Sequence, residues 1–415
     1  MKRTEQFIVI GLVGLFLNAC ATQPTTRRSF APQPLHRAAA QVKDARLLDV
    51  WIETFKFAPQ KNQKDATAAD VSTGIQNAEE RFIPVHLRDT MQATGYWGAV
   101  RVVPRGTVGG ELVVTGTLQR SDGRTLTLNI VARDALGDQW FARTYSATVG
   151  TGDYDHLERG QRDAFQDIYN RIANDLAHVL QGRSADTIRQ IREAAALRFA
   201  ADLAPTPYGD YFSRNRRGRV HVERLPAEDD PLYSRIRALK DRDDMLVDTL
   251  NAHYDQFYND MWDSYVNWRK SSLAETLAKE EIQRKANTKK ALGVAAILGA
   301  IAIEALGGRK TRQHTGNLQT VMVVGGAMAI KSGIDQAAQA DINKAALREL
   351  AQSFEAEVSP MVVDVDGRVV ELTGSADVQF TQWRQLLHRR YMADTKTEAK
   401  PVATPPGDEA SAASR

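Results

Sequence analysis

The sequence predicts an α+β protein: a small antiparallel or mixed sheet with helices on one side, followed by a mainly α-helical domain with a glycine-rich helical hairpin. Three observations predict this class. Residues 46–182 contain β-prone segments separated by turn residues, with helical periodicity on either side. Residues 183–393 contain long stretches with apolar residues three and four positions apart. Residues 291–333 combine apolar and small side chains.

The first region has the order β-α-β-β-β-β-α. A β-prone segment at residues 47–57 and a helix at residues 75–94 come first, and Pro84 should kink or shorten that helix. Turn residues with glycine and aspartate then separate four strand signals, at residues 98–104, 111–119, 125–133 and 140–148. A helix at residues 161–180 closes the region. The economical packing is an antiparallel sheet covered by helices on one side.

The second region begins with a helix at residues 184–203, where Ser184 is the expected N-cap. A connector with one possible strand leads to a long helix from residue 232 to about residue 289. Near the carboxyl end, Asp366 and Gly367 predict a β-hairpin, and residues 376–392 predict a closing amphipathic helix.

Two apolar, small-residue stretches, at residues 291–303 and 321–330, form the predicted glycine-rich hairpin. Each is shorter than the roughly 20 residues that span a bilayer. Glycines let two helices approach closely. One interpretation is a hairpin buried against the long helix, which the lengths favour. The other is a face for self-association or membrane insertion, carried by Gly293, Gly299, Gly325, Gly326 and Gly333.

The amino terminus has the pattern of an export signal. Lys2 and Arg3 precede a short apolar run at residues 7–17, and the sequence LNAC ends at Cys20, the only cysteine of the 415 residues. This segment resembles the lipobox of bacterial lipoproteins. The resemblance implies cleavage before Cys20 and a diacylglycerol thioether plus an N-acyl chain, such as palmitate, on that cysteine. Ala21, where aspartate would favour the inner membrane, implies the periplasmic face of the outer membrane.

These observations divide the chain into five parts. We expect a signal peptide over residues 1–19, a lipidated flexible tether over 20–45, an α/β domain over 46–182, a helical domain over 183–393 and a disordered polar tail over 394–415.

The α/β region also resembles a group of small periplasmic domains. Its element order, a strand with VRVVP, the sequence VTGT at residues 114–117 and the helix AFQDIYNRIANDLAHVL carry the likeness. The group comprises the amino-terminal domain of TolB, the curli secretion lipoprotein CsgG and the lipoprotein activators of penicillin-binding proteins. The resemblance implies the fold and the compartment, and it assigns no functional residues.

The motifs predict no catalytic site and no cofactor. HExxH, GxSxG and GxGxxG are missing, and residues 307–311 (GGRKT) lack the glycine spacing of a phosphate loop. The net charge of +3 gives no electrostatic reason to expect nucleic acid as a partner.

Two acidic groups are candidates for metal sites. Asp153, Asp155, His156 and Glu158 offer oxygen and nitrogen ligands, but acidic residues ahead of a helix usually serve its amino-terminal end. Asp364 and Asp366 lack the ligand ladder of a calcium loop and predict a tight turn. We therefore expect no metal.

Together these features predict a non-enzymatic outer-membrane lipoprotein that acts as a binding, scaffold or assembly factor of the cell envelope. The expected partners are the membrane, through the lipid on Cys20, and an envelope protein or a second copy of the chain. An oligomeric secretion or pore component using the glycine-rich hairpin is the first alternative. An enzyme acting on the cell wall is the second.

Overall fold

The computed structural model describes residues 33–58, 66–306 (apart from 217 and 228), 349, 361–365 and 368–398. Cys20, the signal peptide and almost all of the polar tail therefore lie outside the described residues. The strands of the main sheet are β1 (Val50–Glu53), β2 (Lys56–Phe57), β3 (Val100–Val103), β4 (Leu112–Ser121), β5 (Thr125–Asp134) and β6 (Gln139–Thr148).

The main sheet is mixed, and its strand order is β3-β1-β4-β5-β6, with β2 beside the end of β4. β1 pairs in parallel with both β3 and β4, while β4, β5 and β6 form an antiparallel meander. Alternate residues of β4 are buried and those between them are half-buried, as expected when helices cover one face. The predicted α+β class is confirmed.

The helices are α1 (Ala66–Gln92), α2 (Gln166–Gln181), α3 (Ala185–Leu203), the single turn α4 (Pro205–Tyr208), α5 (Pro231–Leu306) and α6 (Ala376–Glu398). Two hairpins accompany them: β7 (Phe212–Arg214) with β8 (Val220–Val222), and β9 (Met361–Val365) with β10 (Arg368–Leu372). Ser184 caps α3 as expected, since its Oγ accepts the N–H of Thr187 at 3.1 Å.

Pro84 neither ends nor shortens α1, and the structure gives the reason. A proline has no N–H, so it leaves the carbonyl four residues earlier without its helical partner. That carbonyl belongs to Glu80, and it accepts the N–H of Phe55 at 2.8 Å. The Glu80 side chain also accepts the N–H of Phe57 at 3.0 Å. The proline thus exposes a backbone acceptor that joins the helix to the chain leaving β1.

The buried residues of the two predicted domains form one continuous core, from Leu48 to Tyr391. α5 produces this continuity because it lies along β3, the edge strand of the sheet. Its buried Asn251 accepts the N–H of Val102 at 2.8 Å and donates to the carbonyl of the same residue at 3.0 Å. The side-chain amide of Asn251 thus makes the two backbone hydrogen bonds that a neighbouring strand would make with Val102. The predicted domain boundary at residue 182 stays a prediction, and the residues on its two sides share one core.

Gly116 lies in β4 directly against the buried ring of Phe55. A Cβ at this position would come within 2.4 Å of the ring. We expect Gly116→Ala to lower the free energy of unfolding by about 1–3 kcal/mol, because the ring must move within a packed core. Urea unfolding followed by circular dichroism measures this, and Gly209→Ala is the control because its Cβ would meet no neighbour. Equal stability of the two variants would contradict the packing described.

Candidate binding surfaces

The predicted site residues fall in different parts of the chain. Cys20, Gly325, Gly326 and Gly333 lie outside the described residues. Gly293 and Gly299 lie on the helical backbone of α5, so self-association through the five glycines stays a prediction. Among the described residues, no helix has the length and apolar character needed to cross a membrane.

The acidic cluster that includes Asp153 lies before α2, and Asp153 stabilises a short helical turn there. Asp153 accepts the N–H of Gly150 at 2.9 Å and so caps a short 3-10 helix, Thr151–Tyr154. α2 itself begins only at Gln166. Within the part of the chain that is described, no three His, Cys, Asp or Glu side chains are grouped to hold a metal ion.

The aromatic residues of α5 are buried against α1. The ring of Phe82 lies 4.4 Å from that of Tyr258 and 4.3 Å from that of Tyr265, measured between centroids. Trp262 lies at 6.1 Å from the same ring. These rings form core contacts between two helices, so they do not offer a stacking surface for a glycan.

Four polar residues, Glu79, Asp163, Tyr265 and Arg269, form a buried group that we call the charged core. Arg269 donates from Nη1 to Asp163 at 2.6 Å, and both side chains are 1% exposed. The guanidinium also lies 4.2 Å from the centre of the Tyr265 ring. Tyr265 donates to Glu79 at 2.6 Å. The charged core therefore fastens α5 to α1 and to the loop before α2.

Burial raises the pKa of Glu79 to about 7, against the opposing charge of Arg269 and the hydrogen bonds from Ser121 and Tyr265. A raised folded-state pKa gives stability that is complete below about pH 4.5 and is lost as the pH rises through about 7. We expect the melting temperature to fall from about pH 5 to about pH 8, and Glu79→Gln to reduce that slope. Part of the slope should remain in the Glu79→Gln variant, because burial also raises the pKa of Glu111 to about 7.

Differential scanning calorimetry across this pH range measures the slope. Glu275→Gln, at an exposed position of α5, is the matched control. A Glu79→Gln variant with the slope of the wild type would contradict the assignment.

The segment that follows the predicted lipid anchor is docked on α2. Asn170 donates to the carbonyl of Gln33 at 2.7 Å. Asn174 donates to the carbonyl of Pro34 at 2.9 Å and accepts the N–H of His36 at 2.8 Å. The tether predicted over residues 20–45 is thus held against the body from Gln33 onward, and this corrects its later part.

Hydrogen bonds continue from this segment to α5 through the interior. Asn170 accepts from the amide of Gln166 at 3.1 Å, and Gln166 Oε1 lies 2.8 Å from His86 Nε2. The other ring nitrogen, Nδ1, lies 2.8 Å from the hydroxyl of Tyr258 on α5. Because an amide oxygen only accepts, Nε2 of His86 donates to Gln166. Residues 33–36 and the long helix α5 are therefore linked through a chain of hydrogen-bonded side chains.

An arginine-rich hairpin, residues 209–225, contains β7 and β8. Its five arginines outnumber its two acidic residues, so it alone carries a formal charge of +3, equal to that of the whole chain. The sequence predicts only a connector with one possible strand here, and the structure shows a two-stranded hairpin. The arginines are Arg214, Arg216, Arg217, Arg219 and Arg224.

A cleft of about 660 Å³ lies between this hairpin and α3. Arg189, Arg214 and Arg224 are among its lining residues, with the half-exposed Leu225. Glu193 and Glu223 also line it, and they pair with Arg189 and Ser213 respectively. The cleft therefore combines cationic and apolar groups.

Three arginines of the hairpin differ from Arg219, which pairs with Asp138. Arg214, Arg216 and Arg224 are exposed and form no ion pair with any carboxylate that the structure describes. Behind them, burial and the charge of Arg214 lower the pKa of Arg198. The buried Nε of Arg198 has no acceptor among the described residues. The exposed guanidinium groups can therefore donate hydrogen bonds to an anion.

Comparisons with known proteins give little beyond the geometry. No family model matches the chain, and no curated protein sequence matches it. Among solved structures, the chain is similar to the dodecamer of a PelC point variant from Paraburkholderia phytofirmans at 13% identity. That match covers 37% of this chain and 96% of the other, with a TM-score of 0.19. At this TM-score the likeness bears on neither fold nor function.

Proposed function

We propose that this chain is a non-enzymatic lipoprotein on the periplasmic face of the outer membrane, where it acts as a binding, scaffold or assembly factor of the cell envelope. The docking of residues 33–38 on the body is the observation that carries the proposal. Twelve residues lie between Cys20 and Gln33, and the thirteen steps from one Cα to the other span at most about 45 Å when fully extended. A lipid on Cys20 would therefore keep the body close to the membrane.

The rigidity of the body also supports a scaffold role. α5 is fixed to the sheet by Asn251 and to the interior by Arg269. Arg101 adds a bidentate pair with Asp248 of the same helix, at 2.6 and 3.1 Å. These polar contacts are directional, so they hold the helix in one register along β3. A partner that binds the helix would meet a surface in a fixed position relative to the sheet.

One observation favours a second candidate, an oligomeric secretion or pore component. Glu280 of α5 pairs with Arg124 at the turn between β4 and β5, and the helix continues from there to Leu306. At about 1.5 Å per residue this extension is roughly 40 Å long, and it carries Gly293 and Gly299. Mass photometry of the detergent-extracted protein separates the candidates: a ring-sized oligomer supports the second, and a monomer or small complex supports the first.

The anchor gives the direct test in cells. We expect Cys20→Ala to lose incorporation of labelled palmitate, because alanine has no sulfur to carry the diacylglycerol thioether. The variant should also leave the outer-membrane fraction of a density gradient almost completely, because stable anchoring needs more than one acyl chain. Thr22→Ala, two residues downstream, is the control and should behave as the wild type. A Cys20→Ala variant that remained in the outer-membrane fraction at the wild-type level would contradict the proposal.

A further inference from the structure

The arginine-rich hairpin has a composition suited to a charged lipid surface. Exposed arginines supply guanidinium groups that form paired hydrogen bonds with phosphate oxygens. Leu225, 50% exposed, lies beside Arg224 in the same cleft. We propose that this hairpin docks on the phosphate groups of an anionic phospholipid bilayer, with the cleft holding a headgroup. The proposal rests on the lipid-anchored function proposed above.

The charge of the hairpin arginines is available to a ligand. Arg224 lies 4.2 Å from the centre of the Tyr211 ring, and Arg214 lies 5.7 Å from that of Phe212. Stacking on a ring orients a guanidinium and leaves its N–H edge free for an anion. Arg219 differs because it pairs with Asp138 at 3.2 Å. We therefore assign phosphate contact to Arg214 and Arg224, with Arg216 adding charge.

The path of the chain from the anchor allows this contact. After docking on α2, the chain reaches α3, where Arg192 donates to the carbonyl of Asp44 at 2.5 Å. The cleft-lining residues Arg189 and Glu193 lie on that same helix. α2, which the chain follows between these points, is roughly 24 Å long. The span of about 45 Å available between Cys20 and Gln33 exceeds the length of α2.

Charge complementarity favours an anionic bilayer as the occupant. Basic groups near an anionic membrane gain about fivefold in binding each. The outer-membrane setting supplies such a surface at high local concentration once the anchor is inserted. A soluble phosphate compound would bind the same arginines without a bilayer. An experiment with and without vesicles therefore distinguishes a lipid headgroup from a soluble phosphate.

Hydrogen–deuterium exchange on the full lipidated protein tests the proposal. The protein is reconstituted on vesicles of phosphatidylcholine alone or with one third phosphatidylglycerol. We expect the backbone amides of residues 209–225 to exchange about tenfold more slowly on the anionic vesicles, and high salt to abolish the difference. Arg214→Glu with Arg224→Glu should remove the protection. Arg120→Glu with Arg133→Glu, an equal change of charge at exposed positions of the sheet, should keep it.

Four other results would overturn the proposal. These are no protection on either vesicle, equal protection on both, loss of protection in the Arg120 and Arg133 control, and protection by millimolar inorganic phosphate that anionic lipid does not increase. The last would assign the cleft to a soluble phosphate ligand. Failure of the anchor itself is distinguishable, because the wild-type protein would then not remain with vesicles of phosphatidylcholine alone.

Discussion

Replacing Arg269 by methionine is expected to lower the free energy of unfolding by about 3–5 kcal/mol. The change leaves the Asp163 carboxylate buried without the charge that neutralises it, and an uncompensated buried charge is among the largest destabilising effects. Asp163 keeps only local partners, such as the N–H of Phe165 at 2.8 Å. Methionine preserves much of the side-chain volume, so the effect reports charge rather than a cavity. Urea unfolding of the detergent-solubilised full chain measures it.

Two further variants make this prediction sharp. Lys270→Met removes a cation from the adjacent, exposed position of α5, and it should change stability by no more than about 0.5 kcal/mol. Combining Arg269→Met with Asp163→Asn should recover part of the loss, because no buried charge then remains unpaired. A loss below about 1 kcal/mol in Arg269→Met would show that the charged core does not fasten α5.

The second large effect is expected at Asn251. Asn251→Ala should lower the free energy of unfolding by about 2–4 kcal/mol, because the N–H and the carbonyl of Val102 both lose their partner in a buried position. The same variant should speed amide exchange in β3, since the edge strand would lose its cover. Denaturant unfolding and hydrogen–deuterium exchange of residues 100–103 measure the two effects.

Asn259→Ala is the matched control, with the same substitution at an exposed position of the same helix. It should leave both stability and exchange near the wild-type values. An Asn251→Ala protein as stable as this control would contradict the conclusion that α5 completes the sheet edge.

The sequence was sufficient for the features that local chemistry decides. The turn residues around Asp122 and Gly137 mark the ends of β4, β5 and β6, because few other residues accept the positive φ of such turns. Gly123 and Gly137 do adopt it, at 75° and 84°. The Ser184 cap is likewise local, since its partner is three residues away. The hairpin around Asp366 and Gly367 follows from the same turn chemistry.

Features that depend on distant partners were not predictable. The parallel insertion of β1 between β3 and β4 depends on pairs such as Val50 with Val100 and with Leu112, which no local pattern encodes. The continuation of α1 through Pro84 depends on Phe55, 25 to 29 residues away from the helix positions involved, as a substitute donor. Asn251 gives no signal in the sequence because an asparagine on a helix is usually exposed.

The candidate site divides in the same way. The lipobox around Cys20 is a local motif, so sequence alone proposed it. The excess of arginine at residues 214–224 was also readable, but which of these arginines pair with a described carboxylate, as Arg219 does with Asp138, only the fold displays. The docking of Gln33 and Pro34 on α2 was missed, because a Pro- and Thr-rich composition resembles a free tether whether or not two asparagines bind it.

The lipid anchor is the central claim, and mass spectrometry of the amino-terminal peptide tests it most directly. The protein is isolated from the outer-membrane fraction and digested, and the first peptide is identified. We expect it to begin at Cys20 and to carry a diacylglyceryl group and an amide-linked acyl chain. A peptide that begins at Met1, or a Cys20 without lipid in protein that is still bound to the membrane, would contradict the proposal.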